Sequence, residues 1–156
     1  MTFPGVVTHL RSLLYLNLTD NRLTHIADDI GALTNLLELR LYNNQISMLP
    51  ESIRTLGNLR ELHVMNNRLS ALPNSIGNLT RLRKLLLRGN PLEALPESLG
   101  GLQHLTELDL RGCRLTVVLE CIGNLPTLHK LDLRWNGLEK SAWMHALDAR
   151  GCVVYV

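Results

Sequence analysis

Aromatic side chains are scarce: one Phe, two Trp and three Tyr make up 4% of the chain. Aliphatic side chains must therefore fill any core. There are only three cysteines, Cys113, Cys121 and Cys152. An odd number without paired spacing excludes a disulfide framework as the basis of the fold and fits a reducing compartment. An excess of charge of one sign is missing as well. Sixteen basic and 14 acidic residues leave a formal charge of +2, too near balance for nucleic acid or an anionic membrane as the default partner. No apolar run approaches the roughly 20 residues that a membrane span needs. Met1-Thr2-Phe3-Pro4-Gly5 shows no basic segment leading into an apolar one, so the expected location is cytoplasmic. On the same ground the sequons at Asn17 and Asn78 are read as chance occurrences.

What the sequence does have is leucine at a fixed period. Leu13, Leu36, Leu59, Leu82, Leu105 and Leu128 are each 23 residues apart. Counting these as position one, position four is Leu16, Leu39, Leu62, Leu85, Leu108 and Leu131. Position six is Leu18, Leu41, Val64, Leu87, Leu110 and Leu133. Position nine is Asn21, Asn44, Asn67, Asn90, Cys113 and Asn136, and position eleven is Leu23, Ile46, Leu69, Leu92, Leu115 and Leu138. The later half of each unit repeats too. Leu49-Pro50, Leu72-Pro73 and Leu95-Pro96 share a slot with Ile26-Ala27 and Val118-Leu119, followed by Ile30, Ile53, Ile76, Leu99 and Ile122.

Leucines at positions four and six alternate, which predicts a strand with one buried face. The asparagine at position nine carries both donors and an acceptor, so it can satisfy backbone groups where the chain turns inward. Cysteine in that slot, Cys113, is small and offers only a weak S–H donor. Proline then enforces an extended return segment. One unit cannot bury its own leucines, so neighbours must stack into a continuous core.

These units resemble the leucine-rich-repeat family, with its L-x-x-L-x-L-x-x-N-x-L motif. The added L-P-x-x-I-x-x-L half is similar to intracellular Ras-group-related, Scribble-like and bacterial members. The resemblance covers essentially the whole chain. It implies an α/β solenoid, a curved horseshoe segment with a parallel sheet on its concave side and an irregular or short-helical convex side. It also implies binding of a protein partner through the concave face. Some members sit beside kinase, GTPase or ubiquitin-ligase domains, so a recognition fragment of a larger signalling enzyme or bacterial effector is the alternative.

The expected organisation is a single domain over 1–156: a partial unit over 1–12, six units over 13–150 and a C-terminal cap over 140–156. Trp143, Met144 and Leu147 stand at helical spacing, and Gly151 suits a helix end, predicting a helix near 140–149. Val154 and Val156 fall on buried positions, predicting a strand near 152–156. Trp143 is read as structural. At the other end, Phe3-Pro4 matches Ile26-Ala27, so the chain opens within a unit and strand one, near Leu14–Leu18, has an unpaired edge. A longer parent protein is the favoured explanation. Edge-to-edge self-association and a first segment folded over the edge are the others.

Positions three, five, seven and eight should point outward from the sheet. There, Tyr42, His63, Met65 and Leu86 are contiguous, with Arg40 and Arg88 at their flanks. Aromatic, Met and Arg side chains are what interface centres are enriched in. Further on, Asp109 and Asp132 precede Arg111 and Arg134 by two residues, beside Trp135. That group is read as a surface ionic ladder of little energetic weight, or as a reader of acidic motifs through the forked guanidinium. The candidate partner-binding residues are Arg40, Tyr42, His63, Met65, Leu86, Arg88, Arg111, Arg134 and Trp135. No catalytic residue, cofactor or metal is expected. The six histidines fall on different units and faces, and no Ser, Cys or carboxylate stands evidently beside His63.

Overall fold

The computed structural model describes residues 3–156, so the first two residues of the partial N-terminal unit lie outside it. Seven short strands follow the repeat: β1 (Tyr15–Asn17), β2 (Glu38–Arg40), β3 (Glu61–His63), β4 (Lys84–Leu86), β5 (Glu107–Asp109), β6 (Lys130–Asp132) and β7 (Val153–Tyr155). They form one parallel sheet in sequence order. The register joins like slots, for example Leu39 with Leu62 and Leu62 with Leu85. A repeat free of insertions permits no other pairing, because a one-residue slip would carry every leucine to the solvent face.

Each unit returns through a five-residue 3-10 turn: Gly5–His9, Asp28–Ala32, Glu51–Thr55, Asn74–Asn78, Glu97–Gly101 and Glu120–Asn124. Pro50, Pro73 and Pro96 precede three of these turns with φ of −72°, −65° and −75°. That angle is the one the pyrrolidine ring fixes, and the missing N–H costs nothing at a helix start. The turns then stack closely. A Cβ on Gly77 would stand 2.1 Å from the Ser98 carbonyl oxygen, so only glycine fits there.

Between sheet and turns runs a continuous aliphatic core, in which Leu39, Leu62, Leu85, Leu108 and Leu131 are wholly buried. Position nine ties it together. Asn67 Oδ1 accepts from the Ile46 amide at 2.9 Å, while Nδ2 donates to the carbonyls of Leu41 at 2.9 Å and Val64 at 3.1 Å. Asn44 and Asn90 repeat the arrangement. Cys113 supplies only a long contact from Sγ to the Leu87 carbonyl, 3.7 Å. The Leu92 amide, deprived of an acceptor in that slot, donates to its own neighbour Asn90 at 2.8 Å instead. Asn21 is exposed and donates within its own loop, because no preceding unit among the described residues covers it.

Helix α1 spans Ala142–Ala149, two residues later than the 140 start expected, and β7 is trimmed to three residues. Lys140 and Ser141 lie outside because Ser141 is extended, with ψ of 169°. Met144 and Leu147 are buried, Val154 is buried in β7 and Val156 packs against the core, so the C-terminal segment covers the last leucines. Trp143 lies over Gly123, where a Cβ would meet its ring at 3.0 Å. Gly151, at φ +86°, donates to the Asp148 carbonyl and ends the helix. No helix among the described residues is long and apolar enough to cross a membrane.

At the opposite end, Phe3 is buried and the Gly5–His9 turn stacks on the Asp28–Ala32 turn. The first segment thus lies on the return side and does not fold over the strand. β1 pairs with β2 alone, leaving Leu14 and Tyr15 exposed.

Candidate functional site

The solvent face of the sheet carries the side chains the core does not need. Slot three is Tyr15, Glu38, Glu61, Lys84, Glu107, Lys130 and Val153; slot five is Asn17, Arg40, His63, Leu86, Asp109, Asp132 and Tyr155. Glu38 and Glu61 are direct cross-strand partners, an unfavourable like-charge pair unless cations intervene. They do. Arg40 donates to Glu38, and Lys84 Nζ lies 3.0 Å from Glu61. His63 Nε2 is 3.0 Å from Glu61 Oε2 and 3.7 Å from Glu38 Oε1.

This corrects the expectation that no carboxylate stands beside His63. Slot three supplies it: Glu61, two residues before His63, shares its face by strand alternation. The ligand atoms of Glu38, Glu61 and His63 lie within 4.8 Å of one another, a spacing that could hold a metal ion. Arg40 and Lys84 already balance both carboxylates, so the charge that would draw a cation is spent. Although burial opposes it, the bonds from His63 and Lys84 hold the Glu61 carboxyl below its ordinary value. Tyr42, Met65 and Leu86 stand alongside, half-buried instead of fully exposed. Arg88 makes no ion pair among the described residues.

The C-terminal half also departs from expectation. Asp109 and Asp132 pair with Arg111 and Arg134 as a self-paired ladder, but the carboxylates are buried, at 6% and 1% exposure, and not at the surface. Each is covered by its own arginine. Arg111 donates through Nε at 2.9 Å and Nη2 at 2.6 Å to the two oxygens of Asp109. Arg134 does the same to Asp132 at 2.9 and 2.8 Å. Arg111 Nε also approaches Asp132 at 3.5 Å. The Asp132 carboxyl sits below its ordinary value: burial pushes it up, and the fork and amide of Arg134 outweigh that push. Such bidentate pairing fixes both guanidinium planes.

Those planes carry Trp135. The guanidinium carbons of Arg111 and Arg134 each lie 5.9 Å from its ring centroid, and Arg134 lies 4.8 Å from the ring of Tyr155. Trp135 is nonetheless 71% exposed. Its backbone is more unusual still, with φ of +66°. All six units turn left-handed at this slot, and the others use Asp20, Asn43, Asn66, Gly89 and Gly112. Those are the residue types that tolerate the region, whereas a bulky aromatic is an outlier there. Sequence reading selected Trp135 for its exposure and had no access to its strain. It missed Tyr155, which counting 23 residues from Asp132 would have placed on the same face.

Family models for a leucine-rich repeat region and for leucine rich repeats match residues 5–88 and 80–138 respectively. Among solved structures, a leucine-rich-repeat protein of Leptospira interrogans is 27% identical over 99% of this chain and 52% of that one, with a TM-score of 0.65. The leucine-rich-repeat ectodomain of the Arabidopsis thaliana membrane receptor kinase GASSHO1/SCHENGEN3, in complex with Casparian strip integrity factor 2, is 31% identical over 85% of this chain, with a TM-score of 0.75. A TDR receptor is 30% identical over 86% of this chain, with a TM-score of 0.79. The chain spans 17% of the former receptor and 24% of the latter. No curated protein matches the chain.

Proposed function

The chain belongs to the leucine-rich-repeat family, and from that premise we propose that it is a protein-interaction module whose partner docks on the solvent face of the sheet. The binding surface runs from Arg40, Tyr42, His63, Met65, Leu86 and Arg88 to Arg111, Arg134 and Trp135. Trp135 carries the reading. A left-handed tryptophan costs backbone energy, gains no burial and displaces the asparagine or glycine that the turn prefers. Strain of this kind accumulates at functional positions. Exposed, rigid aromatics beside fixed arginines are the usual anchors of an interface. Recognition is accordingly preferred to catalysis as the activity. The similar receptor-kinase ectodomain supports a second reading, in which the chain selects substrates for an enzyme whose catalytic domain lies elsewhere in the same gene product.

The proposed compartment is reducing and cytoplasmic. Three free cysteines, two of them buried, favour it.

Affinity capture from source-cell lysate tests the reading. The bait should be compared with a variant carrying Tyr42→Ala, Met65→Ala, Arg88→Ala and Trp135→Ala whose melting curve matches it. Arg111 and Arg134 are kept, because truncating them would leave Asp109 and Asp132 buried without counter-charge. A captured protein should be lost from the variant. Trp135→Ala alone should weaken a purified partner about 30-fold, roughly 2 kcal/mol. Equal capture by both baits would move the binding to the return side or to the β1 edge. Sedimentation of the purified chain would then separate self-association at that edge from binding of a different protein.

A further inference from the structure

A second charged feature lies at the edge of the sheet where the strands begin, outside the face just described. Arg60 and Arg83 occupy position two of adjacent units, and Arg81 and His104 occupy the position before the first leucine of adjacent units. All four are exposed, and together they line one shallow cavity of about 200 Å³. Elsewhere the first slot holds Leu14, Leu37, Thr106 and His129, and the second holds Ser12, Asn35, Asn58, Thr127 and Arg150. Arg60, Arg81, Arg83 and His104, all from units three and four, therefore converge on one cavity.

The arrangement is held from behind. Asn58 donates to the Thr34 carbonyl at 3.0 Å and accepts from Arg81 Nη1. His104 Nδ1 lies 2.7 Å from the Thr80 carbonyl, which can only accept, so that nitrogen carries the proton. The Arg83 amide donates to the Arg60 carbonyl at 2.7 Å, locking the two backbones in step. None of the four cavity residues is acidic. The nearest carboxylates in sequence, Glu61 and Glu107, are engaged by His63, Lys84 and Lys130. Arg60 also borders a depression lined by Glu38 and Glu61, which makes it the weakest of the cationic members.

Three guanidinium groups and an imidazole around one cavity, with no counter-ion among the described residues, are the complement of a compact dianion. We propose that this pocket binds a phosphomonoester carried on a serine or threonine of a protein partner. Planar forked donors match phosphate oxygens, and a phosphate monoester carries nearly two charges at neutral pH. A polynucleotide or a bilayer calls for a long basic tract, and here the basic residues end within about three repeats, in a chain whose total charge is +2. The pocket uses none of the residues of the Trp135 face and does not depend on that face binding anything.

The test is an amide NMR titration of the intact chain with the blocked tripeptide acetyl-Gly-phosphoSer-Gly-amide and with its unphosphorylated form. Saturable shifts confined to residues 58–106 are expected with the phosphopeptide and not with the serine form. Arg81→Gln with Arg83→Gln should weaken binding about tenfold or more. Arg22→Gln with Arg68→Gln, which removes the same charge from other exposed sites, should leave it unchanged. No saturable shift, or equal weakening by both pairs, would overturn the proposal. Two further arms assign the source. Inorganic phosphate binding while the phosphopeptide does not would make this a free-anion site. Arginine-dependent pelleting with phosphatidylserine vesicles, without phosphopeptide binding, would make it a membrane contact. Either result overturns the protein-borne ligand.

Discussion

In units one to three the left-handed slot holds Asp20, Asn43 and Asn66, joined side chain to side chain: Asn43 donates to Asp20 at 2.7 Å and Asn66 to Asn43 at 2.8 Å. In units four to six it holds Gly89, Gly112 and Trp135. The ladder stops at Gly89, where a Cβ would stand 2.6 Å from Asn66 Oδ1. The backbone is the same throughout, yet the first half satisfies it with polar residues that bond one another. The second half strips the slot bare for two units and then loads it with an exposed indole. Slot five diverges in parallel, from Asn17, Arg40 and His63 to the apolar Leu86 and the buried Asp109 and Asp132. The contrast separates what a stacked repeat demands from what it merely carries. Where a slot is filled in the cheapest way, the fold explains the residue. Where it is filled at a cost, as at Trp135, the explanation must lie outside the fold.

Substitutions at four positions would sharpen or break this contrast. The largest effect belongs to Asn67→Ala, which removes an acceptor from the Ile46 amide and a donor from two buried carbonyls. Stability should fall by about 3 kcal/mol in denaturant unfolding, since stranded buried groups pay their full desolvation. A loss below that of an exposed-site variant would show that water replaces the asparagine. Asp132→Ala comes next, at about 2 kcal/mol, because Arg134 can partly resolvate. The same carboxylate predicts acid behaviour. Its folded value is depressed, so its stabilisation is complete above the unfolded value and is lost as pH falls through the folded one. Asp132→Asn should therefore flatten the acid limb of the stability profile, and an unchanged limb would contradict the pairing.

Cys113→Asn should act in the opposite direction. It offers the Leu92 amide the side-chain acceptor of the other units in place of its local bond to the Asn90 carbonyl, and gives the Leu87 carbonyl a full donor, which together should add about 1 kcal/mol. Burial pushes the Cys113 thiol up to about 11, so Cys113 of the native chain should also react slowly with thiol reagents at neutral pH, read by mapping the labelled cysteine. The smallest effect is expected from Trp135→Asn. Relief of the left-handed strain, offset by lost cation–π contact, should leave a net gain of about 0.5 kcal/mol. Greater stability with weaker partner binding would mark Trp135 as kept for binding. Lower stability would make it a structural residue and remove the main support for the proposed docking face.

The repeat was legible because its cause is local and periodic: a leucine at positions four and six has one place to go, and an unbroken register of 23 residues leaves no choice of strand order. The C-terminal cap was legible for the same reason, through Trp143, Met144 and Leu147. The face of the sheet was only half legible. Which side chains point outward follows from alternation, but whether an outward residue is covered depends on its neighbours. The spacing of Asp109 and Asp132 from Arg111 and Arg134 discloses their pairing, but not that the arginines fold back and bury the carboxylates. The strain at Trp135 was invisible too, since it is a property of φ, and the pocket of Arg60, Arg81, Arg83 and His104 arises only when adjacent units are stacked.

The close approach of the return turns has a geometrical consequence. Hydrogen bonds fix the separation of the strands on one side of each coil, whereas on the other side the separation is set by whatever side chains stand between the turns. At Gly77 that filling is nothing, and the Ser98 carbonyl occupies the space a methyl group would claim. Gly77 therefore lets its turn approach the next more closely than any side chain would allow, and so helps to set how those two units sit against each other. Gly77→Ala would force those two turns apart, and a spacing change between units three and four would alter how Tyr42 and Trp135 face a shared partner without touching either residue.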